Sequence, residues 1–180
     1  RIEIAGPSAR KIPLANCQIA SECITHLGVE QAVKQLQLIV ATFGTITNSP
    51  SVGRADLFVD FTYSSGILGW EPQDFVTRAD LVQLYFYKRR PSGWTIGEGS
   101  PISARLYDKT IQIEKSKQDY LKALWHQQGW EPGQQVYRLE LQLRHQPLVE
   151  LEAGQYPELL NRLGAIWLYC LEDWSRLTVP

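Results

Sequence analysis

V-Y-R-L-E-L-Q-L-R, residues 136–144, alternates strictly, and its two faces are chemically opposite. Tyr137, Leu139, Leu141 and Leu143 point one way; Arg138, Glu140, Gln142 and Arg144 point the other. Strand side chains alternate with a period of two, so the pattern predicts a half-buried strand whose open face carries one carboxylate between guanidiniums. Solvated sheet faces are also commonly laced with Glu and Arg. Whether this face is a site therefore turns on its neighbours.

Three other stretches read as strands. In R-A-D-L-F-V-D-F-T, 54–62, Ala55, Leu57, Val59 and Phe61 share one face and Arg54, Asp56, Phe58 and Asp60 the other. Asp is disfavoured in strands, so two of them inside such a pattern suit either a function or a solvated face. Carboxylates at i and i+4 of one strand stand about 13 Å apart, so a single ion would use one of them plus ligands from adjacent strands. L-V-Q-L-Y-F-Y-K-R, 81–89, runs into the basic tract Lys88-Arg89-Arg90. Pro91-Ser92-Gly93 reads as a turn and 94–97 as the returning hairpin strand. Tyr85, Tyr87 and Arg89 share a face, a mixture on which single-stranded nucleic acid stacks and which also packs sheet layers. S-A-R-L-Y-D-K, 103–109, sets Tyr107 between Arg105 and Lys109 on one face, with Asp108 on the other. Flanking cations lower the cost of a phenolate and attract phosphate, although the same pattern is common on sheet surfaces.

Helical spacing over 29–43 predicts an amphipathic helix, and a second over 158–174 predicts one that covers the sheet. Ser116-x-x-Asp119 resembles a capping box opening a helix that Gly129 stops. R-I-E-I-A at 1–5 alternates and could open a sheet, 12–27 has no clear pattern, and Gly-Trp-Glu-Pro at 69–72 and 129–132 is compatible with two related halves.

The 180 residues are 44% hydrophobic and 21% charged, which suits one well-buried domain. A formal net charge of -1 announces neither a nucleic-acid nor a membrane partner, so any basic surface is local. Cys17, Cys23 and Cys170 are an odd set without CxxC spacing, and no apolar run approaches the roughly 20 residues of a membrane span, which reads as a reduced, cytoplasmic protein. The chain begins at Arg1 and contains no methionine, the pattern of a piece of something longer.

No phosphate-binding GxxxxGK[ST] loop, GxGxxG turn, GxSxG elbow or HExxH helix occurs, which removes support from nucleotide hydrolysis, dinucleotide redox and the common hydrolase routes. His26, His126 and His145 are isolated, so an ion here would be held by carboxylates, favouring Mg2+ or Mn2+ over zinc. What remains is Asp56, Asp60 and Glu140 on polar strand faces, Arg105, Lys109, Arg138 and Arg144 beside them, and Tyr107 as a nucleophile. A metal-polarised phosphodiester attacked by tyrosine, with arginines holding its oxygens, is a coherent site for DNA strand transfer.

G-R-A-D-L-F-V-D-F at 53–61, W-T-I-G-E-G-S-P-I-S-A-R-L-Y-D-K-T at 94–110 and V-Y-R-L-E-L-Q-L-R at 136–144 resemble the successive sheet motifs of Rep_trans-type replication initiators, to which some conjugative relaxases are also similar. The match runs in order from about residue 36 to the C-terminus and includes the L-x-R-L-G-x-I-W-x-Y helix. The resemblance implies an α+β fold, an antiparallel sheet covered by helices and related to the TATA-binding-protein saddle. It also implies an origin binder that nicks one strand through a 5′-phosphotyrosine with a carboxylate-bound divalent metal. Its partners would be origin duplex and nicked single strand, with a helicase and a second copy of the chain as further ones.

Carried across, the motifs supply Asp56 or Asp60, Asp108 or its neighbours, and Glu140 as metal ligands. Lys88, Arg89, Arg90, Arg144, Tyr85 and Tyr87 are the expected DNA contacts. One position departs: the staphylococcal-type members have a tyrosine directly before the metal-binding glutamate, and here that residue is Leu139. Tyr107 is then the first choice of nucleophile. Tyr137 is the second, since alternation turns it to the apolar side. A DNA-binding module that has lost nicking, or a metal-dependent phosphodiesterase that uses water, would keep much of the same face.

Overall fold

The computed structural model describes residues 1–6, 13–67, 69–116 and 118–178. The chain divides into two compact units, Arg1–Ser49 and Pro50–Pro180. In the first, β1 (Ile2–Ile4) pairs antiparallel with β2 (Ala15–Cys17), and two helices follow, α1 (Ser21–Leu27) and α2 (Val29–Ala41). The alternation at 1–5 thus forms a strand, and the helical spacing at 29–43 forms α2. Residues 12–27, without a clear pattern in the sequence, hold β2 and α1; 7–12 lie outside the described residues.

The second unit carries β3 (Arg54–Phe61), β4 (Phe75–Thr77), β5 (Val82–Tyr87), β6 (Arg90–Ile96), β7 (Ile102–Asp108), α3 (Lys109–Ser116), α4 (Tyr120–Gln127), β8 (Tyr137–Arg144), α5 (His145–Glu150), α6 (Tyr156–Leu168) and β9 (Ser175–Leu177). The four strongest strand patterns and the returning hairpin strand assemble into one antiparallel sheet of order β3-β8-β7-β6-β5, and β4 and β9 form a small second sheet. The fold is α+β, with the opening strand of the analysis at the interior of the larger sheet.

One face of that sheet is the core. Ala55, Leu141, Leu143, Ala104, Leu106, Trp94 and Ile96 cluster there with Leu148, Ile166, Cys170 and Trp174 from the helical side. Burial of these side chains is the main favourable term, and the period-two pattern determines which face receives it. The helix expected over 158–174 is α6 followed by a π-helical segment, Tyr169–Trp174. Residues four apart drift around an α-helix, and the wider π turn reverses that drift. Ile166, Cys170 and Trp174 therefore all reach the core, and burial pushes the Cys170 thiol up to about 12.

Several expectations are corrected. The β5–β6 turn is not Pro91-Ser92-Gly93 but Lys88-Arg89, both at positive φ (47° and 65°), with Tyr87 paired to Arg90. This form of two-residue hairpin places both loop residues in the left-handed region, and here neither is glycine or asparagine, at a cost of about 1–2 kcal/mol each. Pro91 and Ser92 lie instead in β6 ahead of its pairing with β7, which begins at Gly93, so Pro91's missing N–H removes no bond to β7. Arg89 consequently sits in the turn rather than on a strand face with Tyr85 and Tyr87. Ser116 ends α3, and Asp119 precedes α4 without a side-chain cap bond. Lys109 opens α3 rather than ending β7. The two Gly-Trp-Glu-Pro segments differ: one leads into a 3-10 helix at Pro72–Asp74, whereas Trp130 of the other packs edge to face against Trp125 and His126.

Candidate active site on the open face of the sheet

Pairing register builds the polar face row by row. Arg54 stands opposite Arg144, and Asp56 opposite Gln142. The next row is Phe58, Glu140, Arg105 and Thr95, and the one after it Asp60, Arg138, Tyr107 and Gly93. Period two therefore brings Glu140, Arg105, Tyr107, Arg138 and Asp60 together from three strands. A Cβ on Gly93 would come 2.6 Å from both Leu106 O and Tyr107 Cβ, so glycine is required where β6 passes Tyr107.

Two ion pairs hold the centre. Arg105 donates to Glu140 Oε1 through its Nη2, and Tyr107 Oη donates to Glu140 Oε2 at 3.2 Å. One row along, Arg138 grips Asp60 with two bonds, Nε to Oδ1 at 2.6 Å and Nη2 to Oδ2 at 2.7 Å. Trp125 Nε1 adds a third bond to Asp60 at 3.0 Å, and the Phe58 ring lies 3.9 Å beneath the Arg138 guanidinium. Trp125 comes from α4, which with Ile113, Leu121 and Val136 forms a small second core at this end of the sheet.

Lys109 joins from the first turn of α3. It is buried, with Nζ donating to Gln112 Oε1 at 2.5 Å and Gln118 Oε1 at 3.0 Å and lying 5.9 Å from the centre of the Tyr107 ring. Burial, aided by the Arg138 charge, lowers its ammonium to about 8. Burial and the Glu140 carboxylate push the Tyr107 phenol well above its ordinary value, with Arg138 and Arg105 pulling the other way. Tyr107 is thus a protonated phenol whose hydroxyl is already aimed at a carboxylate, the geometry of a nucleophile and its base.

Other expected site residues lie apart. Tyr137 is on the core face, 2% exposed, where its hydroxyl donates to Gln135 Oε1 at 3.0 Å. Asp108 also turns away from Tyr107: its Oδ1 accepts the Ile111 N–H at 3.0 Å and caps α3, while Oδ2 accepts from Gln135 at 3.3 Å. Asp56 is bound by Arg54, and Arg144 is exposed at the far end of β8. Tyr85 lies on the open face at the edge strand, its hydroxyl donating to Glu98 at 2.8 Å, and Lys88, Arg89 and Arg90 are exposed around the β5–β6 turn. Tyr87 ends β5, with the Lys88 ammonium 5.4 Å from its ring centre.

The carboxylates expected to hold Mg2+ or Mn2+ do not converge on one point in this arrangement. Asp56, Asp60, Glu140 and Asp108 are each held by donors of the protein, and Asp108 is on the other side of the sheet. Among the described residues no three His, Cys, Asp or Glu side chains are grouped to hold a metal. Residues the sequence did not flag complete the site: Trp125 on Asp60, Gln112 and Gln118 around Lys109, and Gly93 beside Tyr107. Of these Gly93 alone carries a signal, a glycine close to a strand pattern, in a stretch whose Pro-Ser-Gly chemistry reads as turn. Two surface cavities, of about 280 and 260 Å³, are lined by other residues.

No family model matches this chain, and the search of curated proteins finds no match. Among the described residues no helix is long and apolar enough to cross a membrane.

Proposed function

We propose that this chain is a DNA strand-transfer protein of the replication-initiator kind, in which Tyr107 is the nucleophile and Glu140 the base. One observation carries the reading: the Tyr107 hydroxyl donates to Glu140 at 3.2 Å on an open sheet face that also presents Arg105. An extended polyanion suits an open face better than a small molecule does, since small ligands are usually enclosed. The two-faced antiparallel sheet supports the further reading of an initiator fold related to the TATA-binding-protein saddle.

In the reaction the Tyr107 oxygen attacks phosphorus and its proton passes to Glu140. The bond from phosphorus to the 3′ oxygen breaks, leaving a 5′-phosphotyrosine; the departing 3′ oxygen, on the far side of phosphorus from Tyr107, takes a proton from solvent while Glu140 releases its own to solvent. Atoms and charge balance without an oxidant. Because the phenol resists ionisation, proton removal must accompany attack, which is why the carboxylate contact matters. Arg105, at the solvent-facing side, neutralises the phosphoryl oxygens, while Lys109 supplies positive potential from beneath.

The test is incubation of labelled single-stranded oligonucleotide and supercoiled DNA with wild type, Tyr107→Phe, Tyr137→Phe and Glu140→Ala, resolved on a denaturing gel. A covalent band is expected that disappears in Tyr107→Phe, falls by about 10²–10⁴ in rate in Glu140→Ala, and persists in Tyr137→Phe. Persistence in Tyr107→Phe would sink the assignment. Parallel reactions with Mg2+, Mn2+ and EDTA decide whether Glu140 must exchange Arg105 for an ion. A second reading, DNA binding without cleavage, is favoured by Leu139 at the position where the related initiators carry tyrosine. It predicts retention on a native gel and no covalent band for any variant.

A further inference from the structure

The β5–β6 hairpin ends in a turn that is conformationally costly for its own residues. Lys88 and Arg89 both occupy the left-handed region, at φ 47° and 65°, in a two-residue loop for which Asn-Gly is the relaxed solution. Strain of this kind persists where the residue type is needed for something other than the turn. What these residues contribute is charge: Lys88, Arg89 and Arg90 are consecutive and exposed, and among the described residues none of them is ion-paired. Beside the cations, Phe86 is 63% and Tyr85 44% exposed, on the edge strand of the sheet. Between Tyr85 and Phe86 the register slips, leaving Ser92 as an extra residue in β6. Such a bulge twists the ribbon and re-aims its tip.

We infer that this hairpin tip is a duplex-DNA grip separate from the Tyr107 site, with Lys88 and Arg89 on backbone phosphates and the exposed Phe86 ring beside them against the groove. The inference rests on the nucleic-acid reading above for its choice of ligand. A two-stranded ribbon fits the major groove of B-form DNA, and a tip of three cations without a carboxylate partner matches a phosphate backbone in sign. A single strand stacking on Tyr85, Tyr87 and Arg89 is the poorer fit, because Arg89 sits in the turn and the Tyr85 hydroxyl is tied to Glu98. Register puts Tyr85, Gly93 and Tyr107 in one row. Three residues along and two strands across, the tip lies on the order of 15 Å from Tyr107, a separation of about four base-pair steps.

Two double variants separate charge from strain. Lys88→Gln/Arg89→Gln removes the charge and keeps the conformational demand; Lys88→Asn/Arg89→Gly removes both. Binding to a fluorescent 30-base-pair duplex of mixed sequence is measured by anisotropy from 50 to 200 mM KCl, with thermal melting of each protein. Both variants should lose about tenfold in affinity at the lowest salt, and the slope of log affinity against log salt should fall by about 2. The Asn-Gly variant alone should melt higher, by about 2–4 °C. Wild-type affinity and slope in either variant would overturn the grip, and an Asn-Gly protein that melts lower than wild type would overturn the strain argument on which it rests. Wild type that binds the duplex but forms no covalent band removes the transfer reading and leaves the grip standing. A covalent band together with unchanged duplex binding in the Gln-Gln variant removes the grip alone.

Discussion

The open face carries two arginine–carboxylate pairs on neighbouring rows that the sequence writes almost identically and the fold treats oppositely. In Arg138–Asp60 both side chains are nearly dry, 7% and 13% exposed, with Trp125 completing the carboxylate's bonds. In Arg105–Glu140 the guanidinium is 50% exposed, and the carboxylate's second oxygen faces a tyrosine hydroxyl. The two carboxylates are covered alike, 13% and 14% exposed; it is the guanidinium that differs, because α3 and α4, inserted between β7 and β8, cover Arg138 and leave Arg105 in solvent. Cover converts a charge pair into a structural clamp; its absence leaves the pair able to exchange partners. Depth under the helices, rather than residue type, thus separates scaffold from chemistry.

Asp60→Ala should produce the largest change. It would leave the Arg138 guanidinium and the Trp125 indole N–H buried without their acceptor, a loss that typically costs about 3–5 kcal/mol. Urea denaturation followed by tryptophan fluorescence measures it. A loss below about 1 kcal/mol would show that the covered pair behaves as a surface pair and would erase the distinction.

Much of this arrangement was legible in advance, because strand faces are set by a local rule. Alternation placed Glu140, Arg138, Asp60 and Tyr107 on the polar side and Tyr137 on the apolar side before pairing was known, and opposition across strands then followed. The cover was not legible. That Trp125 would reach Asp60 depends on how α4 lies over the sheet end, which a helix pattern at 120–127 does not specify. The β5–β6 turn was misread for a different reason: Pro-Ser-Gly carries the stronger turn chemistry, whereas the observed turn uses two residues that disfavour its backbone. Which carboxylates stay open to an ion is likewise decided by side-chain partners rather than strand faces, and the strand pattern does not specify those partners.

Lys109 sharpens the comparison at intermediate size. It is a buried cation at the covered end with amide rather than carboxylate partners, and its ammonium is lowered to about 8. The unfolded chain holds that proton up to about pH 10.4, so between pH 8 and 10.4 the unfolded state binds more protons and stability rises with pH. The contribution is on the order of 3 kcal/mol across that window. The Cys170 thiol and the Tyr107 phenol act with opposite sign, since both are raised in the folded state and lose stability as pH climbs past their unfolded values. Comparing wild type with Lys109→Met cancels them. Lys109→Met should be the more stable protein at pH 7, with an advantage that shrinks from pH 8 upward. An advantage independent of pH would mean that Lys109 carries no burial cost.

Arg105→Ala should change stability least, and that small effect is the sharpest test of the open row. Half-exposed ion pairs contribute about 0–1 kcal/mol, so its urea midpoint should stay close to that of wild type. Its effect on DNA should be larger than its effect on folding. Removing a cation that can reach a phosphate lowers affinity at low salt, and the deficit should close as salt screens the contact. A destabilisation of 2 kcal/mol or more, with no salt-dependent change in DNA affinity, would make Arg105 a second clamp like Arg138. In that case Glu140 would be held too firmly to accept the Tyr107 proton, and the binding-only reading would follow from the same measurement.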